Sequence, residues 1–161
     1  MYKIIVVSPK DEDVIEKCEE IALNKAALNF KTYQDIGLFN QASFLICALD
    51  EKSNIIGYAA LFENLNLKGN LHIAQLAIDV KYANKNVEEL IIKYILNHSF
   101  SYKNITTNLN IKDIETQNIY KKMGFEVLFN GINSTRMIID TQKLLNTLTL
   151  KFSKAQEDFI L

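Results

Sequence analysis

"DVKYANKNVEELI", residues 79–91, joins two segments of opposite character. Upstream, "LHIAQLAI" (71–78) is apolar and reads as a strand. Downstream, "VEELIIKYILNH" (87–98) places Val87, Leu90, Ile91, Tyr94 and Ile95 at helical spacing. A further strand, "NITTNLNI" (104–111), follows. A strand, a helical crossover and another strand make two parallel neighbours. A short strand-to-helix loop is also a common phosphate-binding place, usually glycine-rich, and residues 79–86 contain no glycine.

Reading outward, the flanks suggest antiparallel pairing. "YKIIVV" (2–7) is a first strand, and Ser8, Pro9 and three acids open a helix running to about Asn29. "KTYQDIGLFNQA" (31–42) is less regular, either a second short helix or a loop. "SFLICALD" (43–50) and "NIIGYAALFEN" (54–64) flank a polar turn as a hairpin, which 71–79 extends to a three-stranded meander. "DIETQNIYKKMG" (113–124) is a helix stopped by Gly124. "FEVLF" (125–129) and "STRMIID" (134–140) are strands about an "NGIN" turn, and 141–161 reads as a terminal helix. The order predicts a single α+β domain over 1–161, a mixed α/β layer whose 141–161 segment is a C-terminal helical extension. Its sheet is mostly antiparallel, with strands four and five parallel and helices on both faces.

Composition excludes several functions. Hydrophobic residues are 48% and charged residues 23%, ordinary for a globular domain, and the net charge is −1. That balance gives no basis for a sequence-independent grip on nucleic acid or an anionic membrane. No apolar run approaches the roughly 20 residues of a membrane span, and Lys3 is followed only by "IIVV" before "SPKDED", which is no signal peptide. The expected location is cytoplasmic. Cys18 and Cys47 lie in apolar segments and read as buried reduced thiols. Two histidines and two cysteines show no metal-ligand spacing, and there is no P-loop, dinucleotide fingerprint or nucleophile elbow.

This order of elements, with "IYKKMGFEV" (119–127) late in the chain, resembles the GNAT family of acyl-CoA-dependent N-acyltransferases. The family often carries Leu-Tyr-x-Lys-x-Gly-Phe after strand five. Here Tyr120, Lys122, Gly124 and Phe125 match, and Ile119 stands for Leu. "NIIGYAALFE" resembles the family's third strand and "LHIAQLAIDVKY" its fourth, so the likeness spans about residues 2–140. It implies a splay between strands four and five. It also implies acetyl-CoA as co-substrate, and an amine of a small molecule or protein as acceptor.

The loop departs from the family pattern Arg/Gln-x-x-Gly-x-Gly/Ala. The aligned residues are Ala83, Asn84, Lys85, Asn86, Val87 and Glu88, so none of the three signature positions is kept. A diphosphate needs converging backbone N–H groups and a close approach to the main chain. Asn84 and Asn86 suit left-handed conformations next best to glycine, and Lys85 offers a point charge. Glu88 opposes the ligand if it points inward. A unit charge at about 4 Å and effective dielectric about 20 repels by about 4 kcal/mol, nearly three decades of affinity. Turned outward, it costs only bulk. The plain structural alternative is a solvated turn with Asn86 as a side-chain N-cap.

The resemblance also distributes roles. Tyr120 falls where the family often places the general acid beside the cofactor sulfur, and a phenol is protonated at neutral pH. Packing in the core is its alternative. His72, on the fourth strand, falls near the family's general-base position; a structural histidine is the alternative reading. His98 at a helix C-terminus reads as structural. The backbone of Leu76, Ala77 and Ile78 would pair with the pantetheine arm, and Asp113 replaces an Asn common near it. "NFKTYQDIGLFNQASF" (29–44), with Phe30, Tyr33, Asp35 and Phe39, and "FNGINSTR" (129–136) would wall the acceptor site. Leu144, Leu145, Leu148 and Phe152 form a stripe that could pack on the domain or on a second copy as a homodimer. Loss of the signature side chains keeps a second reading open: a catalytically inactive GNAT-fold ligand-sensing or protein-interaction module. An unrelated α+β binding module, lacking the splay, is the third.

Overall fold

A computed structural model describes residues 1–29, 39, 41–63 and 68–146. Continuous apolar runs in the centre and alternating ones such as the last build seven strands: β1 (Lys3–Val7), β2 (Phe44–Leu49), β3 (Ile55–Glu63), β4 (Asn70–Ile78), β5 (Asn104–Asn110), β6 (Glu126–Asn130) and β7 (Ser134–Asp140). Helices are α1 (Glu12–Asn29), α2 (Val87–Asn97) and α3 (Ile114–Lys122), with one 3-10 turn at Val80–Tyr82. Residues 141–146 are helical. The expected helix beyond them, and residues 31–38 and 40 of the 31–42 segment, lie outside the described residues.

The strands form one sheet in the order β1-β2-β3-β4-β5-β7-β6. All neighbours are antiparallel except β4 and β5. The fold is mixed α+β, as the sequence predicts. The parallel pairing runs only from Asn70↔Asn104 to Ile73↔Thr107. Beyond that point β4 stays with β3, and β5 stays with β7. A bulge in β4 falls where the register shifts between Ala60 and Leu61. Bulges bend and twist a strand, so it sits where the two strands diverge. Residues 74–78 thus have a strand on one side only.

Two apolar layers hold the sheet. On one face, Val87, Ile91, Ile92, Ile95 and Leu96 of α2 pack on Ile46, Ala59, Leu71, Ile73 and Ile105, with Tyr120, Phe125, Met137 and Ile139. The buried stripe of α2 is rotated from the expected one: Ile92 and Leu96 are buried, while Leu90 is 36% exposed. The apolar face of α2 meets strand and α3 residues together and is wider than a narrow seam. On the other face, Ile15, Cys18 and Ile21 of α1 pack on Leu45, Cys47, Tyr58, Ala60 and Ala77. Cys18 and Cys47 are both free and buried. A hydrogen bond with Cys47 and burial push the Cys18 thiol up.

Gly57 lets α2 approach. A Cβ there would lie 2.6 Å from Ile78 Cδ1 and 3.4 Å from Ile91 Cδ1. The sheet therefore admits no side chain on β3 directly beneath the start of α2. Among the described residues, no helix is long and apolar enough to cross a membrane.

Candidate active site

The loop after β4 solves its turn without glycine. Asp79 caps the 3-10 turn by accepting from Lys81 N, and Tyr82 donates its hydroxyl to Asp50 at 3.0 Å. Asn84 and Asn86 then take φ of 64° and 61°. Few residues other than glycine adopt this region at low cost, and Asn is foremost among them. The left-handed Asn86 occupies the N-cap position of α2 but makes no side-chain cap hydrogen bond. The anticipated Asn86 side-chain cap is therefore absent, because its positive φ turns the side chain away from cap geometry. The amides that open α2 keep their positive end of the helix dipole uncapped.

A cleft of about 210 Å³ opens at this corner, lined by Ile78, Tyr82, Ala83, Asn84, Asn86, Val87, Glu88, Glu89, Glu115 and Ile119. Three carboxylates thus border the amides. Glu89 is paired, accepting from Lys122 Nζ at 2.9 Å, and this holds its pKa below the usual range. Glu88 is turned inward: its Oε2 is buried and has no hydrogen-bond partner.

Tyr120 stands on the same face. Its ring is fully buried and meets Phe125 edge-on at 5.0 Å. Its hydroxyl has no hydrogen-bond partner. Burial pushes the phenol well above its ordinary range, Thr107 opposes the rise, and the Glu88 carboxylate adds to it. Thr107, beside the phenol, donates its own hydroxyl to Ile73 O at 3.0 Å. Ile73↔Thr107 is the last parallel pair, so Tyr120 lies where β4 and β5 part.

His72 comes to the same level on the opposite face. Its neighbours Leu71 and Ile73 point into the α2 layer, so alternation directs His72 away from it. Its Nδ1 lies 2.8 Å from Thr106 Oγ1, which also accepts from Asn70 Nδ2 at 2.8 Å. Burial, and secondarily Arg136, lower its pKa to about 4. His72 is neutral at pH 7. The Thr106 hydroxyl, accepting from Asn70, has both a proton to donate and a second lone pair to offer to His72 Nδ1.

Leu76, Ala77 and Ile78 lie on the β4 stretch whose far edge has no strand. Ala83 and Lys85 are exposed at the rim of the loop, and Val87 is buried. Asp113 is held elsewhere, its carboxylate capping α3 by accepting from Thr116 N at 3.3 Å. His98 closes α2, its Nδ1 2.8 Å from Tyr94 O and its ring stacked on Tyr94. Of the residues expected around an acceptor, Phe39 is buried against Tyr58, and Phe129 is 58% exposed. Phe30, Tyr33 and Asp35 lie outside the described residues, as do Leu148 and Phe152. Among the described residues no three metal-ligating side chains gather. The structure thus unites the loop residues, Tyr120 and the open β4 edge, sets His72 across the sheet, and leaves Asp113 to a helix cap. Sequence reasoning missed Thr107, Asn70, Thr106 and Arg136. Alternation in "NITTNLN" puts Thr106 on one face and Thr107 on the other, but only the parallel register brings them to His72 and Tyr120.

Comparison with known proteins agrees with this geometry. No curated protein matches the sequence. Among solved structures, an acetyltransferase of the GNAT family from Staphylococcus aureus superposes with TM-score 0.72 at 15% identity, covering 88% of this chain and 99% of that one. The ribosomal-protein-S18-alanine N-acetyltransferase from Escherichia coli gives 0.71 at 8% identity, covering 88% and 94%. A spermidine N-acetyltransferase chimera from Vibrio cholerae and hSSAT gives 0.69 at 17% identity, covering 90% and 98%. At these identities the likeness is one of fold. The family model described as "Acetyltransferase (GNAT) domain" matches residues 11–141. The chain belongs to the GNAT acetyltransferase family.

Proposed function

We propose that the protein is an N-acetyltransferase that takes its acetyl group from acetyl-CoA and passes it directly to an amine of a small molecule or protein. The observation that carries this reading is the unpartnered Tyr120 hydroxyl, buried at the point where β4 and β5 separate. A buried hydroxyl without a partner costs about 1–3 kcal/mol, and such a cost is expected where a ligand completes the bond.

The main chain fits a CoA thioester. The uncapped amides of α2, reached through the left-handed Asn84 and Asn86, would hold the diphosphate. The open edge of β4 at Leu76, Ala77 and Ile78 would pair with the pantetheine arm as an added strand does. When bound, the thioester supplies an acyl group activated toward amines. Tyr120, a phenol protonated at neutral pH whose burial only strengthens its hold on the proton, would donate that proton to a departing thiolate. His72, neutral and across the sheet, would meet an incoming amine. Lys85 at the rim would add positive charge.

Glu88 favours a second reading, a GNAT-fold module that binds without catalysis. Its inward carboxylate occupies the anion-attracting end of α2. Glu side chains have three rotatable bonds, and an outward rotamer would clear the amides. Incubation with acetyl-CoA and a panel of amines, with release of free thiol followed by a chromogenic disulfide, separates the two readings. Amine-dependent thiol release supports the transferase. Binding of coenzyme A without release for any amine supports the module.

A further inference from the structure

The sheet face opposite α2 carries a second polar array along the parallel β4–β5 pairing that leads to the opening. Asn70, His72 and Thr106 are nearly fully buried and share the Thr106 hydroxyl at 2.8 Å on both sides. Asn70 Oδ1 is buried and has no hydrogen-bond partner. One register step further toward the opening, Arg136 on β7 lies opposite Asn108 on β5 and donates from Nε to Asn108 Oδ1 at 2.8 Å. Its Nη groups find no partner among the described residues. No carboxylate of the described residues pairs with Arg136. α1 packs on the part of this face built from β2, β3 and β4.

Resting on the transferase reading, we propose that this face is an acceptor subsite for a small amine carrying its own carboxylate, the carboxylate held by Arg136 and the amine set toward His72 and Asn70. Arg136 offers a planar pair of N–H donors, which match a carboxylate in bidentate geometry. Asn70 Oδ1 is an acceptor awaiting an N–H donor. Glu126 on β6, opposite Ile138, borders this face without pairing with Arg136, and a polyamine set over the guanidinium would meet like charge there. His72 on β4 and Arg136 on β7 stand two residues, roughly 7 Å, apart along the strands and two strand spacings of roughly 5 Å apart across them, a gap that both side chains narrow by reaching toward β5. The amine and the carboxylate of a good acceptor are therefore several bonds apart, as in 4-aminobutanoate, rather than adjacent as in glycine.

Calorimetric titration of the protein, without donor, with glycine, 4-aminobutanoate, 6-aminohexanoate and spermidine tests this. The expected result is tightest binding by 4-aminobutanoate, weakened at least tenfold in R136Q and partly retained in R136K. Spermidine binding as tightly in the wild type, no binding by any ω-amino carboxylate, or unchanged affinity in R136Q overturns the proposal. Coenzyme A titrated into the same samples keeps the two failures apart. Normal coenzyme A binding with no amino-carboxylate binding sinks the subsite alone, and absence of both sinks the transferase reading with it.

Discussion

Glu88 and Tyr120 each bury an oxygen that makes no hydrogen bond, and the carboxylate of the first raises the pKa of the second. The pair lies at the two ends of one task, the helix terminus that attracts anions and the phenol at the strand opening. Each oxygen is costly in the structure as it stands. A site that binds a ligand tolerates such costs; a core that only packs does not.

Tyr120→Phe separates function from packing. The phenol oxygen contributes no hydrogen bond, so its removal relieves desolvation and is expected to stabilise the fold by about 1 kcal/mol. Turnover with acetyl-CoA should fall at least tenfold while coenzyme A affinity holds. Denaturant unfolding and thiol-release kinetics check both. A destabilised variant with wild-type turnover would mean that the hydroxyl is structural.

Asn86 tests the loop. Its φ of 61° and missing side-chain cap say that its backbone conformation matters, not its carboxamide. Asn86→Gly should leave stability unchanged or slightly higher, because glycine reaches this region freely. Asn86→Ser should lose about 1 kcal/mol, since serine caps well but is poor at positive φ. Urea unfolding decides: a neutral serine variant would restore the capping explanation.

His72 makes stability depend on pH. Its folded pKa of about 4 lies below the ordinary value of 6.5. Between those values the unfolded chain binds the proton and the folded chain does not, so stability rises with pH through this window. The contribution is complete above about 6.5 and is lost as pH falls toward 4, amounting at most to about 3 kcal/mol. His72→Gln should flatten that limb in melting experiments from pH 7 to pH 4. An unchanged slope would place the acid sensitivity in other groups.

Much of this was legible in the sequence. The change of period from two in "LHIAQLAI" to 3.6 in "VEELIIKYILNH" gave away the crossover and hence the parallel pair. Two Asn in a loop that needs left-handed turns pointed to their backbone role, and both adopt it. Other features depend on tertiary contacts. The direction of Glu88 is a rotamer that no residue spacing encodes. The placement of β7 rather than β6 beside β5 is a pairing choice that a short hairpin leaves open. The Asn70–Thr106–His72 array needs a parallel register that no local pattern encodes. The bulge in β4, which bends the strand where the opening starts, has no glycine to announce it.

The central claim is that main-chain amides at the start of α2 seat a diphosphate although Glu88 stands inward. Titration of coenzyme A into the wild type and Glu88→Gln, by calorimetry, tests it most directly. The account predicts saturable binding in both, at least tenfold tighter in the variant, since loss of one facing charge is worth more than about 1.4 kcal/mol. No heat from either protein at millimolar coenzyme A would contradict it.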